Sequence, residues 1–326
     1  MKYRPFGKTG FEVSEIVFGA GFVGGILLGD DDEVKRKANR RAHDGGVNWN
    51  DTAPTYGDGR TEAAHGWLLP EIDDTPYLST KFRIEPDGPG DIPGQIRRSL
   101  EASLGRLNRD RVDLLQLHNQ IGPETGEGRL GLAEVLKSGG VADGLDALRQ
   151  EGLCDFVGFT ALGDTQALRQ VIASGRFDSA QVYYNLLEPS ADRPVPAGWS
   201  GHDFGCLMDD CAEAGLAVMA IRIMAAGVIA TDLRHGREIP MFEAADVASE
   251  ENRARQALAA LGDFAGARAQ AAVRFVLDNP KVSCALLGAA ELDHIDQALG
   301  AVDLAPLGEA TVARLERLYE TDFGRL

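Results

Sequence analysis

The chain has few cysteines and few basic residues, and both shortages exclude classes of protein. Its four cysteines form no Cys-X-X-Cys pair and show no zinc-ligand spacing, so we expect reduced thiols, as in a cytoplasmic protein. Lys and Arg total 33 against 50 Asp and Glu, which gives a net charge of −17. This balance argues against a nucleic-acid surface, which needs clustered positive charge. It still permits a phosphorylated cofactor, because phosphate sites are built locally from backbone amides and a few side chains.

Long apolar runs are also absent. The N-terminal segment MKYRPFGKTGFEVS lacks the apolar stretch of a signal peptide, and no run approaches the ~20 residues that span a bilayer. A hydrophobic share of 44% is normal for a soluble protein with a sizeable core. We therefore expect a cytoplasmic protein with no membrane or nucleic-acid partner, present as a monomer or a homodimer. Because no linker-like change in composition interrupts the chain, we expect one domain over residues 1–326.

Eight strand-like runs recur along the chain, separated by segments with helical periodicity. The runs cover residues 15–20, 47–51, 77–81, 114–118, 156–160, 180–184, 217–223 and 284–289. The helical patterns cover residues 32–46, 92–107, 164–176, 257–279 and 310–320. Nearly continuous apolar runs are typical of parallel strands that are buried on both faces. Together with a β-hairpin over residues 1–14, this alternation predicts an α/β fold, a (β/α)₈ barrel.

A doubly wound sheet is the main alternative to the barrel. Such a fold is expected to carry Gly-X-Gly-X-X-Gly after its first strand, and the nearest segment, GAGFVGG (19–25), lacks that spacing. Two long irregular segments, 122–131 and 225–242, follow the fourth and seventh predicted strands. Barrel enzymes build their active sites from loops at this end of the strands. We also expect the C-terminal tail to fold over that mouth through Phe323.

Four polar residues end or follow the predicted strands, namely Asp51, Tyr56, Lys81 and His118. Each alone is more often structural, but all four occur in the first half of the barrel pattern, and such groups are costly to bury unless they pair. A Tyr hydroxyl with a pKa near 10 is a poor acid or base at neutral pH, and a nearby Lys ammonium lowers that pKa. A carboxylate would keep the lysine charged, and a histidine could polarise a carbonyl group. The combination predicts a proton-transfer site for hydride delivery to a carbonyl carbon.

Several segments resemble the aldo-keto reductase superfamily. They are GVNWNDTAPTYGDGRTEAAHG (46–66), LSTKF (78–82), DLLQLHN (113–119) and the opening YRPFGKTGFEVSEIVFGAG (3–21). With Pro54, the segment DTAPTYG resembles the corresponding segment of the branch that contains aldose and fucose dehydrogenases. The resemblance implies a (β/α)₈ barrel without a metal, which transfers a hydride between a nicotinamide cofactor and a carbonyl or alcohol. It implies that Tyr56 is the general acid/base, that Lys81 and Asp51 tune it, and that His118 orients the carbonyl.

The resemblance also implies the cofactor contacts. Gln181 would hold the nicotinamide carboxamide, since its amide both donates and accepts. Thr160 and Ala161 stand where the family commonly has Ser-Asn, and Ile221 stands where many members stack a Tyr on the nicotinamide ring. Arg222 either reaches the pyrophosphate or the substrate, or pairs with a neighbouring acid. At the adenosine end, after the last strand, the implied contacts are Gly288, Glu291 and Gln297.

Glu291 bears on the choice between the two nicotinamide cofactors. Family members that prefer NADPH place Lys, Ser or Arg in this region, whereas this chain has Glu291 there. A carboxylate would repel a 2′-phosphate and could accept hydrogen bonds from a free ribose diol. We therefore expect NAD(P)(H) as the cofactor, with NAD(H) slightly favoured. The alternative is that Glu291 only stabilises the N-terminus of a helix through its dipole.

The sequence thus predicts an NAD(P)-dependent oxidoreductase for a small polar carbonyl compound or sugar. Apolar walls would come from Phe22, Trp49, Met224 and Phe242, and Asn119 would supply a polar contact. This mixture fits a sugar, a pyridoxal-like aldehyde or a small ketone. A non-catalytic, cofactor-sensing module on the same barrel is the alternative. A barrel hydrolase or isomerase would need a metal cluster or paired carboxylates, and the sequence shows neither.

Overall fold

The computed structural model describes residues 1–85, 88–234, 236, 238 and 246–326. The chain opens with an antiparallel hairpin of strands β1 (Tyr3–Pro5) and β2 (Glu12–Ser14). Phe6, in the turn of this hairpin, is fully buried against Trp49, with their ring centres 4.9 Å apart. The hairpin therefore closes the N-terminal end of the fold.

Eight parallel strands form a closed barrel and follow one another around it in chain order. They are β3 (Ile16–Gly19), β4 (Trp49–Asp51), β5 (Tyr77–Phe82), β6 (Val112–Leu117), β9 (Cys154–Ala161), β10 (Ser179–Tyr183), β11 (Ala217–Ile221) and β12 (Cys284–Gly288). A small separate sheet pairs β7 (Ile121–Gly122) with β8 (Leu130–Gly131). Every predicted run overlaps one barrel strand, so the predicted (β/α)₈ barrel is confirmed.

Helices surround the barrel and cover the outward faces of its strands. They are α1 (Asp32–Asp44), α2 (Arg60–Leu68), α3 (Ile92–Leu107), α4 (Leu132–Leu136), α5 (Val141–Gln150), α6 (Thr165–Ala173), α7 (Leu207–Ala214), α8 (Val247–Leu261), α9 (Arg268–Leu277), α10 (Leu292–Ala301) and α11 (Glu309–Glu320). Short 3₁₀ turns occupy Ile26–Leu28, Leu69–Glu71 and Ala225–Gly227. None of the helices within the described ranges is both long and apolar enough to cross a bilayer.

One predicted helix is wrong in its extent. The pattern over residues 257–279 belongs to two helices, α8 and α9, with a break between them. Gly262 ends α8 with φ 62° and ψ −131°, a conformation that a residue with a Cβ rarely adopts. The apolar periodicity continues across this break, and for that reason it predicted a single helix.

Phe323, expected to fold over the mouth of the barrel, is not among the residues that line the cavity there. Phe323 is buried, and its ring centre lies 6.1 Å from that of Trp199 and 5.8 Å from that of Tyr319. The Arg253 guanidinium lies 4.7 Å from the Trp199 ring and 5.0 Å from the Phe323 ring, and it pairs with Asp322 at 2.5 Å. The tail is thus fastened to α8 and to the loop that follows β10.

Candidate active site

A cavity of about 440 Å³ opens at the carboxyl ends of the barrel strands. Asp51, Tyr56 and His118 line it together with residues that follow β3, β5, β9, β11 and β12. Because all eight strands run parallel, their carboxyl ends meet on this one face. The cavity therefore collects side chains that are far apart in sequence.

Asp51 and Lys81 form a buried ion pair beneath this cavity. Asp51 ends β4, Lys81 lies on the neighbouring β5, and both side chains are almost completely buried. The Lys81 Nζ atom lies 2.5 Å from Asp51 Oδ2 and donates to the Thr52 carbonyl oxygen at 2.8 Å. Burial alone would lower the pKa of the Lys81 ammonium, but Asp51 and Tyr56 together outweigh it and the pKa is raised. Lys81 therefore stays charged in the protein interior.

The second oxygen of Asp51 collects three further donors. Asp51 Oδ1 accepts hydrogen bonds from Ser79 Oγ at 2.7 Å, Gln116 Nε2 at 3.1 Å and Gln181 Nε2 at 3.1 Å. These donors lie on β5, β6 and β10, so the carboxylate is fixed by strands from several sides of the barrel. Gln116 was not among the predicted site residues. Its signal in the sequence is a single amide inside the otherwise apolar run LLQL.

Tyr56 lies in the loop after β4, over the buried ion pair. The Lys81 Nζ atom is 4.8 Å from the centre of the Tyr56 ring and within hydrogen-bonding reach of its hydroxyl. Burial raises the pKa of the Tyr56 phenol, and the Lys81 charge counteracts this rise without reversing it. The direction is opposite to the predicted lowering, because the loss of hydration outweighs the attraction of one ammonium. The phenol therefore holds its proton at neutral pH.

His118 follows β6 and meets Tyr56 edge to face, with ring centres 5.7 Å apart and an interplanar angle of 85°. Burial lowers the pKa of His118 to about 3, and the positive charges of Lys81 and Arg83 add to this shift. The imidazole is therefore neutral at physiological pH. The Thr55 hydroxyl lies 3.4 Å from His118 Nδ1, and a hydroxyl that donates there places the ring proton on Nε2. Such a ring can donate one hydrogen bond.

Five of the seven predicted cofactor contacts line the cavity, namely Thr160, Gln181, Ile221, Arg222 and Gly288.

Glu291 and Gln297, the other two, are not among the lining residues. Glu291 is exposed at the N-terminus of α10, and the Gln297 amide donates to Asp293 on the same helix. Ala290 and His294 from this segment line the cavity instead.

The cavity combines close backbone approaches with an unsatisfied polar group, and both bear on whether a dinucleotide fits there. Gly24 lies so close to the loop after β12 that a Cβ there would be 2.6 Å from the Ala289 backbone nitrogen. A Cβ at Gly19 would be 3.0 Å from the Leu287 carbonyl oxygen. Along the same cavity, the buried Thr160 Oγ1 has no hydrogen-bond partner within the described ranges. The two glycines thus let the segment after β3 approach the segment after β12 along the cavity, and the unsatisfied Thr160 hydroxyl is free to bond an amide group of a ligand.

Two of the predicted substrate contacts lie at the cavity and two do not. Phe22, whose side chain is 44% exposed, and Met224 line it. Trp49 is wrong as a pocket residue, because it is fully buried against the hairpin at the closed end of the barrel. Asn119 is also misplaced, since its amide exchanges two hydrogen bonds of 2.8 Å with the Ile84 backbone. Phe242 lies outside the described residues.

Comparisons with known proteins agree with the fold. L-galactose dehydrogenase from Arabidopsis thaliana is 31% identical over 167 residues, which are 50% of this chain and 49% of that protein, so the chain spans about half of this relative. D-threo-aldose 1-dehydrogenase from a Pseudomonas species is 26% identical over 250 residues, or 68% of this chain and 69% of that protein. The holo form of an aldo-keto reductase from Bacillus halodurans shares the fold with a TM-score of 0.74 and 21% identity, covering 98% of this chain and 97% of that one.

The sequence profile of the Aldo/keto reductase family matches residues 15–320. This match covers most of the chain, including every barrel strand, and it confirms the resemblance found in the sequence. Together with the oxidoreductase relatives, it favours an enzyme over a non-catalytic module. The chain belongs to the Aldo/keto reductase family, and its relatives include oxidoreductases.

Proposed function

We propose that the protein transfers a hydride between a nicotinamide cofactor and the carbonyl or alcohol group of a small polar substrate, an aldehyde, ketone or aldose. The observation that carries the proposal is the position of Tyr56 at the cavity, over a Lys81 ammonium that Asp51 holds at 2.5 Å. A protonated phenol beside a buried cation can give up its proton to a developing alkoxide. Relatives that include two sugar dehydrogenases support an aldose or aldehyde as the substrate.

In the direction of reduction, Tyr56 donates its proton to the substrate oxygen. Its raised pKa keeps the proton in place until negative charge develops on that oxygen. The Lys81 ammonium then stabilises the phenolate that remains, and Asp51 keeps Lys81 charged and fixed. In the direction of oxidation, the same phenolate takes the proton back. When bound, the nicotinamide supplies or accepts the hydride.

His118 supplies the second contact to the substrate oxygen. As a neutral imidazole it donates one hydrogen bond and carries no charge that would compete with the Tyr56 proton. Its edge-to-face contact with Tyr56 holds the two polar groups on one side of the cavity. We assign it the role of orienting the carbonyl group between the phenol and the cofactor.

The residues that would hold the cofactor follow from the lining of the cavity. The amide nitrogen of Gln181 is already bound to Asp51, which leaves its side-chain oxygen for a carboxamide N–H. Thr160 offers an unsatisfied hydroxyl for the same group. Ile221 gives an apolar face for the nicotinamide ring, and Arg222 and Gly288 extend the site toward the phosphates.

We further propose that NAD(H) is favoured over NADP(H). Residues 289–301, at the end of the cavity where the adenosine would lie, contain Glu291, Asp293 and Asp296 but no Lys or Arg. The neighbouring Arg41 is paired with Asp296. This surface repels a 2′-phosphate although Glu291 does not itself line the cavity. The ratio of kcat/KM for NADH and NADPH tests the proposal, and a Glu291→Lys variant should move the ratio toward NADPH. A strong NADPH preference of the unaltered protein would contradict it.

The proposed function is tested by a screen of aldehydes, ketones and aldoses with both cofactors, followed at the nicotinamide absorbance. Tyr56→Phe should lower kcat by about 10²- to 10⁴-fold while the cofactor Kd, measured by fluorescence, stays unchanged. Tyr3→Phe is the matched control, because Tyr3 lies on the exposed hairpin and does not line the cavity, and its hydroxyl donates to the Gly46 carbonyl oxygen. Cofactor binding without turnover of any member of the panel would instead favour the non-catalytic alternative.

A further inference from the structure

Arg83 is a cationic side chain at the mouth of the cavity that the proposed mechanism does not use. It follows β5 by one residue, is exposed, and lines the cavity. It is close enough to His118 for its positive charge to help lower the pKa of that imidazole. The group is therefore beside the residue that would orient the substrate carbonyl.

Among the described residues, the other charged groups that line the cavity have partners, including Glu238. Asp51 is compensated by Lys81 at 2.5 Å. Arg222 faces the Glu250 carboxylate closely enough to oppose the rise in the pKa of that acid caused by burial. For Arg83, by contrast, no hydrogen bond or ion pair is found within the described part of the chain. An unpaired guanidinium beside a reaction site is an anion-binding group that is available to a ligand.

The position of Arg83 in the barrel separates it from most of the cofactor contacts. In the closed ring of eight strands, β5 lies diametrically opposite β11, and β12 is next to β11. Ile221, Arg222 and Gly288 belong to those two strands and their ends. Arg83 therefore faces the cofactor side from across the mouth, on the side left for the substrate.

A second polar group follows the strand next to that of Arg83. Gln120 follows β6, the strand adjacent to β5, and its exposed side chain also lines the cavity. Its amide can donate a hydrogen bond beside the donors of the guanidinium. The two side chains give this edge of the mouth several donors.

We propose that Arg83, assisted by Gln120, binds an anionic group of the substrate, so that the protein acts on carbonyl compounds that carry a carboxylate or a phosphate. This inference rests on the proposed function. The guanidinium fork matches both anions in geometry. A protein with a net charge of −17 repels anions at long range, so recognition of an anionic substrate requires a local positive group, and Arg83 supplies it.

The test compares anionic and neutral aldehydes that are otherwise alike. One pair is 4-carboxybenzaldehyde with methyl 4-formylbenzoate, and the other is glyceraldehyde 3-phosphate with glyceraldehyde. For at least one pair, Arg83→Gln should lower the anion-to-neutral ratio of kcat/KM by about 10- to 100-fold, mainly through KM. Arg83→Lys should retain part of the preference for the anionic aldehyde. Arg317→Gln, which removes the same charge from an exposed position on α11, should leave it unchanged.

The other outcomes distinguish a failure of this inference from a failure of the proposed function. If the neutral aldehydes are turned over and Arg83→Gln does not change the anion-to-neutral ratio of kcat/KM, this inference is overturned. The proposed function then stays intact. A rise in the cofactor Kd of Arg83→Gln, with no change in the ratio, would assign Arg83 to the cofactor and also overturn it. The absence of turnover with every aldehyde and both cofactors would overturn the proposed function, and this inference with it. The pair that responds distinguishes a carboxylate from a phosphate.

Discussion

Gln181 donates a hydrogen bond of 3.1 Å to Asp51 across the interior of the barrel, although their strands, β10 and β4, lie on opposite sides of the ring. The same oxygen of Asp51 accepts a bond of equal length from Gln116 on β6. The two glutamines differ in one respect, because Gln181 lines the cavity and Gln116 does not. This difference allows the support of Asp51 to be separated from contact with the cofactor.

Replacement of each glutamine by methionine is the corresponding experiment. Both Gln181→Met and Gln116→Met remove one donor from Asp51, so both should lower kcat by a similar factor of about 3 to 10, the worth of one hydrogen bond. Only Gln181→Met should also raise the cofactor Kd, by about 10-fold, because it removes the proposed carboxamide contact. Equal cofactor Kd values for the two variants, measured by fluorescence titration, would restrict Gln181 to the support of Asp51.

The sequence was sufficient to predict the barrel and to bring the four catalytic candidates to one end of it. Apolar runs buried on both faces indicate parallel strands, and the carboxyl ends of such strands meet on one face. Asp51, Lys81 and His118 lie at or near these ends, so their convergence follows from topology alone. The pKa of Tyr56 did not follow, because it depends on how deeply the phenol is buried once the loop after β4 has folded.

The sequence also did not predict how far along the barrel axis each side chain lies. Trp49 and Asp51 are two residues apart on β4, so both point to the inside of the barrel, as the two-residue period of a strand predicts. Trp49 nevertheless lies two residues, or roughly 7 Å, nearer the closed end of the barrel, where it packs on Phe6. Asn119 follows the end of β6, where no period fixes the direction of a side chain, and it turns to the Ile84 backbone.

The pH dependence of carbonyl reduction should show no histidine titration in the neutral range. His118 has a pKa of about 3 and Tyr56 one that is raised above its ordinary value near 10. Both groups therefore keep the same protonation state from pH 5 to pH 8, and kcat/KM for a neutral aldehyde should be flat over this interval. It should fall only at alkaline pH, as Tyr56 loses its proton. An inflection near pH 6.5 that disappears in His118→Asn would show that His118 titrates normally.

Acid should destabilise the protein through His65. This residue is fully buried on α2, neither ring nitrogen has a hydrogen-bond partner within the described ranges, and burial lowers its pKa to about 3. As pH falls below 6.5, the unfolded chain binds a proton that the folded protein does not take up until about pH 3. Stability is therefore lost across that interval, by about 2 kcal/mol between pH 8 and pH 5.

His65→Leu should remove this part of the acid sensitivity, because leucine has a similar volume and binds no proton. The measurement is the free energy of unfolding in denaturant at pH 8 and pH 5 for both proteins. We expect the variant to gain stability relative to the unaltered protein as the pH is lowered. A difference that is the same at both pH values would mean that His65 is protonated equally in the folded and unfolded states.

Glu188 should have the opposite pH dependence. It is buried in the loop after β10, where Trp199 Nε1 donates to it at 3.2 Å and the Ser190 backbone N–H at 3.3 Å. Burial raises the pKa of this carboxyl to about 7. The folded protein thus holds a proton that the unfolded chain releases near pH 4.5, and the stabilisation is lost as the pH rises toward 7. Glu188→Gln, which is neutral at every pH, should raise the Tm at pH 8 more than at pH 5.

The C-terminal tail provides a control for this prediction. Trp199 also contacts Phe323, and Asp322 pairs with Arg253 in the same cluster. Phe323→Leu weakens that fastening without changing a charge near the Glu188 carboxyl, so it should lower the Tm at both pH values by a similar amount. A Glu188→Gln effect that is equally independent of pH would show that Glu188 is ionised in the folded protein, and that its contribution comes only from the two hydrogen bonds it accepts.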